Sequence, residues 1–580
     1  MKKRNPYLDY GKEYWYFFLL GPLLMIAEVI ADVKLPAMVG DLINNGALAK
    51  DTHYILIQGL KMFGMVLFAI TTGVGAAYCA ARASIGYGAN LRKGMFEKIQ
   101  KFSFSNIDYY STGSLVTRLT NDVTQVQNML NMSMRMMLRA PGMLIGAVVM
   151  AFSINHELAI IFVVLIPILI AIVAFIMKLA FPRFSKMQTK IDQVNSIIQE
   201  ALMNIRVIKS FVREDFEEER FEKTNHSLMN AGLSAFRVVI FQMPVMTILL
   251  NISTLFLIYL GGKRVMAATM PVGDLTALIT YMTQILISLM LLAMLFLQST
   301  RALASVKRIG EVMNTKLDVA DSEHAQKNEP IVSGEIEFKN VSFGYYKQQD
   351  QEVLKNISFH IKSGETVGIV GSTGCGKSSL VQLIPRLYKP DQGEIFVGGK
   401  NISQISFETL RNSIAMVLQK NVLFSGTIED NLRWGDEHAS TEQIRHAATI
   451  AQADGFVMDM PQNYQTMLEQ GGVNLSGGQK QRLCIARALL KSPNILILDD
   501  STSAVDTATE KHIQESFSLE LKDVTKLIIA QRISSVQQAD KILVMDEGKL
   551  VGQGTHEELL RNCNEYQEIY SSQMERGVSA

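Results

Sequence analysis

The sequence predicts an α-helical membrane domain of six transmembrane helices with long cytosolic extensions, followed by an α/β domain of the P-loop class. Three observations carry this. Long apolar runs crowd residues 14–300 and none of comparable length follows residue 330. Beyond that point the pattern changes to short β-rich runs separated by glycine-containing turns. One of those turns matches G-x-x-x-x-G-K-[ST]. The expected boundaries are 1–318 for the membrane domain, 319–334 for a linker and 335–572 for the α/β domain. A chain of 580 residues exceeds a single domain, and 48% hydrophobic content with mean hydropathy +0.16 is an average over two unlike halves.

A helix needs about 20 apolar residues to cross the hydrocarbon core. Residues 62–81, 158–177, 238–262 and 275–300 contain no Asp, Glu, Lys or Arg, and 14–39 and 140–154 supply the other two spans. The 140–154 run extends past Arg135 and Arg139, whose long side chains can snorkel toward the cytosol. Basic Met1–Arg4 precedes an apolar pattern that runs to about Val39, which predicts an uncleaved helix rather than a signal peptide.

Basic residues set the orientation. The 82–139 connection holds eight Lys and Arg, the 178–237 connection is similarly basic, and the connections near 45–61, 155–157 and 263–274 carry few. The positive-inside rule then places both termini, the two long connections and the α/β domain in the cytosol. Twenty-five helical residues reach roughly 40 Å, so the long connections are expected to be helical arms that turn around far below the bilayer.

Glu28 and Asp32 fall one turn apart on one face of the first span. Acidic groups at membrane depth face a cavity or a partner. They are candidates to contact a cationic substrate; the alternative is a structural pair completed by Lys34 or Arg264. The 31 methionines, several in the third span, suit an adaptable apolar cavity or simply fill a bundle. A net charge of +1 argues against nucleic acid as a partner.

In the second half, Gly371-Ser372-Thr373-Gly374-Cys375-Gly376-Lys377-Ser378 follows the apolar strand 366–370 and precedes a helix-like run with Ser379. Glycines let backbone N–H groups wrap phosphate oxygens, Lys377 reaches the β- and γ-phosphates, and Ser378 can ligate Mg²⁺. About 120 residues on, the apolar strand 494–498 ends in Asp499 and Asp500, with Asp499 placed for Mg²⁺. Between them lies Leu475-Ser476-Gly477-Gly478-Gln479, followed by Lys480-Gln481-Arg482. Cys375 sits within the phosphate loop and Cys484 in the run that follows the Leu475–Arg482 stretch, and the four cysteines show neither metal spacing nor a disulfide framework, which fits a reducing compartment.

Leu475–Gln479 resembles the signature sequence of the ABC transporter superfamily, and in register with both phosphate motifs it identifies the chain as similar to that family over nearly its whole length. The resemblance implies an ABC ATPase using ATP and Mg²⁺, with the signature facing the ATP held by the opposite subunit. It also implies that Tyr345 stacks on adenine and that Gln419 ligates Mg²⁺ and senses the membrane domain. Residues 503–506 resemble the loop that faces the other subunit, and 112–122 and 205–209 resemble exporter coupling segments. The membrane-first order is typical of exporters of the multidrug, peptide and lipid kind.

Two positions depart from the family pattern. Asp500 stands where the family has Glu, and Gln531 stands where it has His. Asp is one methylene shorter than Glu, and Gln can hydrogen-bond but carries no proton or charge near neutral pH. Slow hydrolysis at this chain's own site is therefore expected, with ATP binding spared. The double departure resembles the degenerate-site half of heterodimeric bacterial ABC exporters, so a second half-transporter is the expected partner, a homodimer being the alternative. The expected function is ATP-dependent export of a small amphipathic or hydrophobic compound across the bacterial cytoplasmic membrane by alternating access. Rival expectations are a lipid or peptide translocator with the same motor, or an ATP-gated regulatory or channel-like protein.

Overall fold

The computed structural model describes residues 6–319, 330–345, 352–501 and 505–578. Most of the expected linker, at 320–329, and residues 503 and 504 of the expected subunit-facing loop lie outside the described residues. The chain divides into two compact units, one formed by Met1–Gln100 with Gly113–Asn314 and the other by Lys101–Thr112 with Thr315–Ala580.

The first unit is helical, and among the described residues six helices are long and apolar enough to cross a membrane: Asp9–Ala47, Thr52–Gln100, Thr112–Ile154, His156–Met203, Glu214–Met266 and Val272–Leu292. The helix over Thr52–Gln100 runs for 49 residues and that over His156–Met203 for 48. At 1.5 Å per residue each spans about 70 Å, more than twice a hydrocarbon core of roughly 30 Å. The long connections are therefore continuations of the apolar helices, as their charged, helix-compatible sequence predicts. Asn155 starts the fourth span, its side chain accepting from the N–H groups of Glu157 and Leu158.

The core of this unit gathers Phe162, Leu169, Leu257, Leu278, Tyr281 and Ile285, all fully buried. The Tyr281 hydroxyl donates to the Val33 carbonyl at 2.8 Å, which satisfies its one polar atom. The first and last spans meet so closely that a Cβ at Gly273 would lie 2.1 Å from the Gly40 carbonyl oxygen. In the arms, Asp122 is 2% exposed and accepts from Arg308 Nε at 2.8 Å and Ser305 Oγ at 2.9 Å, with a second contact to the same guanidinium.

Two expectations for the polar membrane residues are corrected. Arg139 does not snorkel outward: it turns inward and bridges Glu28 (2.5 Å) and Asp32 (3.1 Å). Neither Lys34 nor Arg264 completes the acidic pair; Arg264 is held by Glu157 and Asn155 instead. Residues 111 positions apart cannot be paired from helix periodicity, because only helix packing brings them together.

The second unit carries strands β1 (Ile336–Phe343), β2 (Leu354–Ile361), β3 (Thr366–Gly371), β4 (Gln392–Val397), β5 (Lys400–Asn401), β6 (Ile414–Val417), β7 (Gly426–Thr427), β8 (Met467–Leu468), β9 (Ile495–Asp499), β10 (Thr525–Ile529), β11 (Lys541–Asp546) and β12 (Lys549–Gly554). A four-stranded sheet has the order β2-β1-β4-β5, and a six-stranded sheet the order β12-β11-β3-β10-β9-β6. In the larger sheet β11, β3, β10, β9 and β6 are parallel, and β12 is an antiparallel edge. Every residue of β9 is buried, as expected of a strand covered on both faces.

The short helix Phe104–Tyr110 also belongs to this unit. Ser103 and Asn106 cap it reciprocally. Asn106 Nδ2 donates to the Lys316 carbonyl, Tyr110 Oη lies 2.7 Å from Thr315 Oγ1, and the Tyr388 hydroxyl donates to Asp108 at 2.7 Å. The segment that joins the α/β unit is thus 101–112, immediately before the 112–122 stretch singled out in the sequence.

Candidate nucleotide site

Sheet order explains why residues far apart in sequence converge. In α/β sheets, ligands sit beyond the carboxyl ends of the strands. β3, β10, β9 and β6 are neighbours in that order, and each delivers one part of the site at its carboxyl end. β3 leads into the glycine-rich loop, β10 into Gln531, β9 into Asp499 and Asp500, and β6 into Gln419.

The loop curls at Gly374 and Gly376, with φ of +86° and +97°, a region that side chains disfavour. Gly376 precedes the helix Lys377–Leu383. Lys377 Nζ donates to the Gly371 and Ser372 carbonyls, both at 2.8 Å, so the ammonium is held over the loop that contains it. Cys375 is buried with its Sγ 3.7 Å from that ammonium. Ser372 Oγ donates to Asp546, and Thr373 lies exposed at the turn.

Ser378 Oγ donates to Asp499 Oδ1 at 2.8 Å. Burial pushes the Asp499 carboxyl above the usual carboxylate range, and the neighbouring Asp500 charge pushes it further. Such a carboxylate gains from a cation. Two hard oxygen donors converging beside a lysine-bearing phosphate loop are the donor set Mg²⁺ takes when it enters with a phosphate substrate. The residues present fit MgATP.

Asp500 adopts a left-handed backbone, φ 48°, which Asp tolerates better than most residues. Its Oδ2 accepts from Gln531 Nε2 at 2.8 Å and lies 3.5 Å from Gln419 Nε2, while its carbonyl accepts from Gln481 at 3.2 Å. Burial raises the Asp500 carboxyl too, and the Gln419 and Gln531 hydrogen bonds oppose that rise. Tyr345 is exposed, its hydroxyl 2.7 Å from Ser379 Oγ and its ring edge-on to Phe343 and Tyr388.

The signature motif begins the helix Gly477–Leu490. Ser476 accepts from the Gln479 N–H and Gln479 Oε1 accepts from the Ser476 N–H, a reciprocal cap that presents Gly477 and Gly478 at the positive end of a 14-residue helix. Leu475 anchors the turn as a buried residue. Glu28 and Asp32 lie in the other unit and take no part in this site.

Sequence reading passed over Gln573, on the helix Asn564–Val578. Its amide grips both sides of the Gln531 loop: Nε2 donates to the Gln531 carbonyl at 2.8 Å and Oε1 accepts from the Ile533 N–H at 2.9 Å. Gln573 belongs to no motif, so only the fold could disclose it. Gln573→Ala is expected to speed amide exchange at Ile533 about fivefold, the equivalent of about 1 kcal/mol for one lost hydrogen bond. Hydrogen–deuterium exchange at that amide checks this, and an unchanged rate removes Gln573 as a support.

Six membrane-crossing helices joined to a phosphate-loop site of this build define a multi-pass membrane ATPase. Residues 18–290 match the family model of the ABC transporter transmembrane region and residues 354–503 match the ABC transporter family model. The chain belongs to the ABC transporter family. It is 42% identical, over 98% of both chains, to the uncharacterized ABC transporter ATP-binding protein YfiB of Bacillus subtilis (strain 168). An uncharacterized ABC transporter ATP-binding protein of Mycobacterium tuberculosis (strain CDC 1551 / Oshkosh) is 36% identical over 95% of both. Among solved structures, a bacterial Atm1-family ABC exporter with ATP bound superposes with a TM-score of 0.80 at 26% identity, covering 97% of this chain and 98% of that one.

Proposed function

We propose that the chain is one half of a dimeric exporter that moves a small amphipathic or hydrophobic compound across the cytoplasmic membrane, with its α/β domain as the cytosolic motor. Tyr345 holds adenine, and the 371–379 loop with Lys377 and Ser378 holds the phosphates. Ser378, Asp499 and Gln419 hold Mg²⁺, which supplies charge neutralisation at the β- and γ-phosphates when bound. The signature, Leu475 to Gln479, completes the nucleotide site of the opposite subunit. Closure of the two motors on ATP turns the membrane helices outward, and hydrolysis resets them. Segment 101–112, packed with the motor unit while continuous in sequence with the second and third spans, supports that coupling.

The observation that carries the asymmetric form of this reading is the Gln531–Asp500 hydrogen bond at 2.8 Å. In it the carboxylate at the position of the family's catalytic base accepts from a group that cannot take or give a proton. We infer that this site binds ATP and hydrolyses it slowly, and that a different half-transporter supplies the fast site opposite this chain's signature. Glu28 and Asp32 are the groups we assign to the substrate.

ATPase activity of the reconstituted chain, alone and with a candidate partner half-transporter, tests this. Activity that appears only with the partner, and disappears when the partner's catalytic Glu is changed to Gln, is the expected result. Hydrolysis at an ordinary transporter rate by this chain alone overturns the asymmetric assignment.

A further inference from the structure

The polar cluster of the first span is one donor short. Arg139 gives one terminal nitrogen to Glu28 Oε1 and the other to Asp32 Oδ2, so with all three groups ionised the cluster carries one net negative charge. The Glu28 side chain is only 9% exposed, yet its Oε2 is buried without a hydrogen-bond partner. Gln284 Nε2 donates to the Asp32 carbonyl, and Gln284 Oε1 is likewise a buried acceptor without a donor. Buried acceptors without donors are costly, a charged one most of all, and persist where a ligand completes them.

Next to this cluster lies a cavity of about 340 Å³, walled by Glu28, Asp32 and Gly73 together with the aliphatic Leu35, Val66 and Ile70. Its volume is at the lower end of small-molecule sites, which run from about 300 to 1,000 Å³. Gly73 packs directly against the orphan oxygen, and only a residue without a side chain fits there: a Cβ would stand 2.9 Å from Glu28 Oε2. Acid at one end and aliphatic walls at the other describe an amphipathic guest. The net negative charge of the cluster and its unsatisfied acceptors favour a cationic donor over an anion.

We propose that Glu28, Asp32 and Arg139 form a binding site for the ammonium head of an amphipathic organic cation, with Glu28 Oε2 accepting from the ammonium N–H and the apolar body lying along Leu35, Val66 and Ile70. This rests on reading the chain as a transporter and names its substrate class. Arg139 is the positioning residue: it holds one oxygen of each carboxylate in place and leaves the charge balance one cation short.

The test uses the full transporter in lipid nanodiscs and three isosteric probes: 1-naphthylmethylammonium, 1-naphthylmethanol and 1-naphthoate. Isothermal titration is expected to rank the ammonium about tenfold or more tighter than the alcohol, with the carboxylate weakest. Glu28→Gln, which keeps the shape and removes the charge, should erase the preference for the ammonium over the alcohol. Gly73→Ala, which keeps the charge and crowds the orphan oxygen, should weaken the ammonium by a similar factor. Equal binding of ammonium and alcohol by the natural chain, or full ammonium preference in Glu28→Gln, overturns the proposal. MgATP affinity of the natural protein is measured in the same nanodiscs. Its absence would sink the transporter reading, whereas normal MgATP binding without ammonium preference sinks only the site assigned here.

Discussion

The double variant Asp500→Glu, Gln531→His is expected to hydrolyse ATP at this chain's own phosphate-loop site about 10²-fold faster than the natural chain, the effect typical of moving a reacting group by about 1 Å. Glu adds the methylene that Asp500 lacks. Gln531 now donates to Asp500 Oδ2, and a histidine there can instead exchange a proton or carry charge toward a phosphate. The two residues touch, so their effects should not add: Asp500→Glu alone leaves the lengthened carboxylate pinned by Gln531, and Gln531→His alone leaves it short. The Gln573 amide grips the backbone of the 531–533 loop rather than the replaced side chain, so the substitution leaves that support in place. The measurement is steady-state ATPase in reconstituted dimers whose opposite site has been inactivated. A double variant no faster than the natural chain would show that slow hydrolysis has a cause outside this pair.

Asp122→Ala is expected to destabilise the helical unit by about 3 kcal/mol, the lower end for breaking a buried ion pair. Asp122 is 2% exposed and receives the Arg308 guanidinium and the Ser305 hydroxyl, which tie the arm before the third span to the arm after the sixth. The lower end applies because the Arg308 side chain is 45% exposed and can rehydrate once its partner is lost. Burial by itself pushes the Asp122 carboxyl up, but the Arg308 and Ser305 hydrogen bonds outweigh it and hold the group below the usual carboxylate range. A depressed folded value means the contribution is fully present above the unfolded carboxylate pKa of about 3.9 and is lost as pH falls through the folded value. Between pH 5 and 8 the thermal midpoint of the natural protein should therefore show no step from this group. Thermal unfolding in nanodiscs checks both statements, and an unchanged midpoint in Asp122→Ala would show the ion pair to be dispensable.

Much of the candidate site was legible because its chemistry is local in sequence. A phosphate loop needs its glycines, lysine and serine within eight positions, and a helix-capping signature needs Ser476 three residues before Gln479. What was not legible is what the fold brings together over distance. The Gln531–Asp500 bond depends on β10 lying beside β9, and the Gln573 clamp depends on a helix returning from the end of the chain.

Six spans, their helical arms and the order of membrane domain before ATPase domain were determined by the sequence alone, because hydrophobic length and charge placement act residue by residue along the chain. The partner of Glu28 and Asp32 was decided only by tertiary structure. Helix periodicity placed the two acids on one face, but whether Lys34, Arg264 or Arg139 met that face depended on which helices pack together. At membrane depth an arginine takes the nearest carboxylates over a reach to water whenever packing puts them in range, and packing is a property of the whole bundle.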